Sequence, residues 1–158
     1  MENNVIIFQP STLLEQDALA CISVIKEGNA VNLKSAGQEL PLAAVAIYRD
    51  NGQIIAVGAI KRPRPSYASS ISERSCFPFN SNSHELGYVA VKKTHQKQGL
   101  SYKITDALLS THKSYPIFAT TSHEGMKRTL KKAGFIQEGT EWKGKRGDML
   151  SLWIKTCK

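Results

Sequence analysis

The chain predicts a mixed α/β fold, and three observations carry that expectation. Residues 43–48 and 53–60 are apolar, β-branched runs on either side of Asp50-Asn51-Gly52, a hairpin signal that supplies the positive φ of a tight turn. From Glu85 to Thr111 the sequence reads as a short apolar strand, a basic turn closing on Gly99 and an amphipathic helix. Residues 116–121, 124–133 and Met149–Lys155 then read as strand, helix and strand.

Taken in order, Val5–Phe8 suits an edge strand. Ser11 or Thr12 caps the helix that follows, with Glu15 three places after Thr12 completing a capping box; Leu14, Ala18, Cys21, Ile22 and Ile25 line one face up to Gly28. Residues 30–42 stay open between a short helix and loop. After the hairpin comes a long segment, 61–83, with Arg62, Arg64, Tyr67, Glu73, Arg74 and Phe77. At that length it reads as a functional loop, while Pro63 and Pro65 equally suit an extended linker. In the helix over 124–133, Met126, Leu130 and Ala133 share a face and Gly134 stands just past the end, before Phe135. Residues 142–147 are turn-rich, and Trp142 and Trp153 read as packing residues of the closing strands.

Size and composition fit a single domain over 1–158. A chain of 158 residues buries roughly 68–70% of its unfolded surface in one core. Its 41% hydrophobic and 22% charged composition is ordinary for a soluble globule. The sequence has no transmembrane run, and its start lacks the basic residues and long apolar stretch of a secretory signal. Three widely separated cysteines, Cys21, Cys76 and Cys157, propose neither a metal site nor a disulfide framework. The expected setting is the reducing cytoplasm, with no membrane association.

Charge is uneven. Residues 1–91 carry 7 Lys+Arg and 8 Asp+Glu, whereas residues 92–158 carry 14 and 5, so the net +8 belongs to the second part. A solvated basic face is the plain explanation. The sharper one is an acidic partner such as nucleic acid, which remains possible but is not favoured.

The basic turn is where function concentrates. A helix entered directly from a tight turn aims unpaired N–H groups and a positive dipole end at whatever lies above it, which suits phosphate. The turn has neither Gly-x-x-x-x-Gly-Lys-Ser/Thr nor a Gly-x-Gly-x-x-Gly following a strand. Instead Val91, Gln96, Gly99 and Ser101 fit Val-x-x-x-x-Gln/Arg-x-x-Gly-x-Gly/Ala with Ser in the last place. That spacing resembles the acetyl-CoA pyrophosphate loop of the GNAT N-acetyltransferase superfamily, and the resemblance extends over about residues 40 to 155. It implies a mostly antiparallel, twisted sheet with helices on both faces, splayed at the central strand. It also implies acetyl-CoA as cosubstrate, held by Val89, Ala90, Val91, Gln96, Lys97, Gln98, Gly99, Leu100 and Ser101, and a possible homodimer.

The chemistry so implied is direct attack of an amine on the thioester, with backbone amides around Val89 to Val91 polarising the carbonyl. Glu85 is the candidate base, by its place on the same strand, although an exposed strand-start carboxylate would look alike in sequence. His84 is a weaker alternative. The sequence also departs from the family. Leu130 fills the slot where many members carry a proton-donating Tyr, His123 stands where Asn is frequent, and Lys93 where Pro is common. Ser122, Tyr102 or water is left to protonate the thiolate. Two readings follow: an N-acetyltransferase acting on a small-molecule or protein amine, or a basic binding module that holds CoA without turnover.

Overall fold

A computed structural model describes residues 5–28 and 33–157. The strands are β1 (Val5–Phe8), β2 (Ala44–Asp50), β3 (Gln53–Lys61), β4 (His84–Val91), β5 (Ile117–Thr121), β6 (Ile136–Lys143) and β7 (Met149–Lys155). The helices are α1 (Glu15–Gly28), α2 (Leu33–Glu39), α3 (Pro65–Ser75), α4 (Leu100–Thr111) and α5 (Glu124–Lys132), with 3-10 turns at Leu40–Leu42 and Lys93–His95. Hydrogen bonding orders the strands β1-β2-β3-β4-β5-β7-β6. Pairing is antiparallel for β1–β2, β2–β3, β5–β7 and β6–β7, and parallel for β4–β5. The fold is therefore the mixed, mostly antiparallel α/β class that the sequence predicts.

The chain divides into two compact units, one holding the residues up to Lys61 with Leu86–Thr111, the other Arg62–Glu85 with the residues from His112 onward. In the first unit, the β2–β3 hairpin turns through Asn51 at φ 51° and Gly52 at φ 79°, both left-handed as its sequence demands. Alternation along these strands loads both faces of the sheet. Val45, Ile47, Val57 and Ala59 pack with Cys21, Val24 and Ile25 of α1 and with Ala36 and Leu40. On the other face α4 approaches so closely that a Cβ at Gly58 would lie 2.5 Å from Ile104 Cγ2. A glycine is what lets that helix sit down on the strand.

The second unit pairs β5, β7 and β6 over a core of Ile71, Phe118, Trp142 and Leu152. Helix α5 ends as the Gly-Phe sequence predicts: Gly134 N–H reaches Lys131 O at 3.1 Å and Phe135 N–H reaches Leu130 O at 2.9 Å. Those two bonds are a Schellman closure.

Three local expectations are corrected. The first helix begins at Glu15, with Ala18 N–H on Leu14 O at 2.9 Å, so neither Ser11 nor Thr12 caps it. Thr12 instead spends its hydroxyl on Gln9 O at 2.7 Å, inside the preceding turn. Segment 61–83 is not one long loop, because α3 fills its middle. Pro65 opens that helix at its first turn, where the missing N–H costs nothing, and Cys76 closes it in the left-handed region at φ 57°. Finally, β6 runs from Ile136 to Lys143, so the segment 142–147 read as turn-rich begins inside a strand, and residues 136–141 carry no strand signal in sequence. It is a polar edge strand with a single buried residue, Trp142, so alternation could not reveal it. Residues 33–42 resolve as helix followed by a 3-10 turn; residues 30–32 lie outside the described residues.

Candidate functional site

Strand β4 leads into the basic turn. Lys92 N–H still bonds Ile55 O at 2.8 Å, after which the chain leaves the sheet. Two acids from the same unit then hold it: Glu27 Oε1 accepts Lys93 N–H at 3.0 Å, and Asp50 Oδ2 accepts from His95 Nε2 at 2.8 Å. On the other side of the ring, Nδ1 lies 2.8 Å from the Thr94 hydroxyl. Gln96 folds back so that its Nε2 donates to Val91 O at 3.0 Å, which gives the motif's glutamine a loop-closing role.

Beyond Gln96 the backbone turns left-handed twice, at Lys97 (φ 66°) and Gly99 (φ 78°). Gln96, Lys97, Gln98 and Gly99 are exposed, Leu100 is buried as the first residue of α4, and Ser101 is half-buried behind it. Helix α4 has 12 residues and no acidic side chain in its first turn. Among the described residues, backbone hydrogen bonds outside helices and strands include none donated by the amides of residues 96–100 to a described carbonyl. The turn is thus exposed over residues 96–99 and leads straight into the N-terminus of α4 with Lys97 beside it, an arrangement chemically suited to an anion such as a diphosphate. The site residues predicted here, Gln96, Lys97, Gln98, Gly99, Leu100 and Ser101, form one continuous feature with Val89, Ala90 and Val91, all half-buried at the end of β4.

A second feature of the same unit escaped the sequence. Tyr88 adopts φ 56° in the middle of β4, a left-handed conformation that costs a non-glycine residue about 1–2 kcal/mol. It is nevertheless only 8% exposed, packed in the core beneath α1 and α2. Its hydroxyl donates to Glu39 Oε1 at the end of α2 in a very short hydrogen bond. The same oxygen accepts from Lys61 Nζ at 2.5 Å, and that ammonium lies 4.6 Å from the centroid of the Tyr88 ring. These residues come from three elements and sit 22 and 49 positions from Glu39. No spacing rule joins them.

In the other unit Glu85 is 6% exposed, contrary to the reading of a solvated strand-start carboxylate. Tyr67, brought by α3, donates its hydroxyl to Glu85 Oε2 at 3.2 Å. Next to it in sequence, His84 stacks on Tyr115 with ring centroids 3.6 Å apart. Burial holds the His84 pKa below its ordinary value, against the opposing effect of its hydrogen bond with the Asn82 carbonyl; Arg62 and His112 lower it further. Leu130 is fully buried in α5 and carries no exchangeable proton. Ser122 donates its hydroxyl to Asp148 Oδ2 at 3.2 Å.

No protein-family model matches the chain, and no curated protein matches it. Solved structures do. A GNAT-family acetyltransferase from Streptococcus agalactiae is 15% identical, with 98% of this chain and 96% of that one superposed at a TM-score of 0.72. An acyl-CoA N-acyltransferase from Pseudomonas aeruginosa is 12% identical over 98% of this chain and 100% of its own, also at 0.72. TofI in an apo form is 14% identical over 96% and 90%, at 0.70. The class these define is an open, mostly antiparallel α/β sheet. At this level of identity the likeness establishes that the chain has the GNAT fold.

Proposed function

We propose that the protein is an acetyl-CoA-dependent N-acyltransferase that passes an acetyl group to a primary amine by direct attack. The observation that carries this reading is the turn at 96–101, whose left-handed residues Lys97 and Gly99 lead an exposed stretch of chain into the start of α4, where helix N–H groups would cradle a diphosphate. Acetyl-CoA would supply the activated acyl group. Val91 and the amides from Gln96 to Ser101 would hold its diphosphate arm, with Lys97 adding charge. The amides around Val89 to Val91 would receive the oxygen charge that develops on the carbonyl. Glu85 accepts the proton of the attacking amine, and the Tyr67 hydroxyl fixes its orientation. Since Leu130 cannot donate and Ser122 is engaged by Asp148, the proton of the departing thiolate is left to Tyr102 or water.

Calorimetric titration with acetyl-CoA, followed by thiol release against a panel of amines, tests this. Binding and amine-dependent release are expected, with Glu85→Gln reducing release by about 100-fold or more while binding persists. No heat at high micromolar acetyl-CoA overturns the cofactor assignment; release unchanged by Glu85→Gln at every pH overturns the base. The buried Leu130 and the basic C-terminal part favour a second reading, a binding module that retains CoA without turnover. It requires binding without release, together with salt-sensitive retention of RNA.

A further inference from the structure

The cluster of Glu39, Lys61 and Tyr88 has no part in holding the diphosphate or in the proton transfer assigned to Glu85. A carboxylate oxygen, an aromatic face and a phenolic oxygen surround one nitrogen, at 2.5 Å, 4.6 Å to the ring centroid and 3.5 Å. Carboxylate plus ring face is the chemistry that recognises ammonium groups. We propose that this is the anchoring seat for a primary ammonium group of the acceptor, which the ammonium of Lys61 holds in the free protein. The proposal rests on the N-acyltransferase reading and names its substrate class: a diamine, or another compound whose ammonium is separate from the nitrogen acylated.

Three observations support it. The seat lies on β4 at Tyr88, immediately before the Val89–Val91 amides assigned to the carbonyl oxygen, and within one compact unit with them. Next, the left-handed slot at 88 is filled by a tyrosine although Gly87 stands beside it. A bend alone would be served by glycine; the tyrosine adds the ring and hydroxyl that face the nitrogen. Third, Lys61 is the last residue of β3 and reaches the seat on a flexible four-carbon stem, so it can yield the place to another cation without unzipping the strand. An ammonium clasped by a carboxylate stays protonated and cannot attack a thioester. The nucleophile must therefore be a second nitrogen on the same molecule.

Substituting Lys61→Ala removes the resident ammonium, and 1,3-diaminopropane replaces its missing carbons and nitrogen while carrying a second amine. Without any acetyl-CoA, calorimetry should show this diamine binding the variant at least about tenfold more tightly than the wild type, a gain that Glu39→Gln in the same background abolishes. Equal affinities, or a gain that survives Glu39→Gln, overturn the seat. If circular dichroism shows Lys61→Ala unfolded, Lys61→Met, which keeps the stem over the ring, takes its place in the same comparison. In turnover, Glu39→Gln should raise KM for the diamine about tenfold more than it changes KM for n-propylamine. Diamine binding without acetyl-CoA binding would preserve the seat and defeat the acyltransferase reading. Turnover of both amines with KM values indifferent to Glu39 would do the reverse.

Discussion

Strand β4 carries two features of opposite construction within one compact unit. At its end, the turn is exposed over residues 96–99, and the side chains of Gln96 and His95 hold its shape. In its middle, the Glu39–Lys61–Tyr88 cluster is sheltered and built from side chains drawn from α2, β3 and β4. The difference teaches where strain is affordable. The turn places its second left-handed position at a glycine, whereas the cluster keeps a tyrosine left-handed and offsets the conformational cost with a charged hydrogen bond and burial.

That contrast predicts separable effects. The largest falls on the cluster: Tyr88→Phe removes the hydroxyl from Glu39 and should lower unfolding stability by about 2 kcal/mol in urea titrations, with acetyl-CoA affinity little changed. Gly99→Val should shift the balance toward binding. A β-branched residue at φ 78° is strained or distorts the turn although nothing lies within 4 Å of the added Cβ, so the Kd for acetyl-CoA should rise about tenfold with a stability loss of about 1 kcal/mol in the same titrations. His95→Ala cuts the tether to Asp50, a partly exposed pair, and should weaken acetyl-CoA binding about twofold with a stability loss under about 1 kcal/mol.

The smallest effect concerns Cys21, in the same core cluster as Tyr88, whose thiol burial pushes up to about 12, with Asp17 adding to the rise and Arg49 opposing it. A raised folded-state pKa means the stabilisation is whole below the unfolded thiol's pKa and is lost as pH climbs through the folded value. Urea midpoints compared at neutral pH and near roughly pH 10 should fall less steeply for Cys21→Ala than for the wild type.

Legibility followed the same division. The hairpin at Asn51-Gly52, the Gly-Phe end of α5 and the turn at Gln96-x-x-Gly99 were readable because each depends on local backbone requirements that few residue types meet. Helix α3 was hidden because a proline can either break a helix or begin one, and only its surroundings decide. Strand β6 was hidden because an edge strand with polar residues on both faces has no alternation to display. Burial of Glu85 by its neighbours, and the meeting of Glu39, Lys61 and Tyr88, depend on contacts across 18 to 49 positions, which no local pattern encodes.

The missing side chain at position 58 sets the bearing of α4. With Ile104 resting almost on bare backbone, a single methyl at Gly58 would act as a shim under the helix, and because α4 begins at the turn 96–101, its tilt would be felt at the far end of the lever. Under the proposed function, acetyl-CoA affinity would then be adjustable from the floor of the sheet, without touching any residue assigned to the ligand.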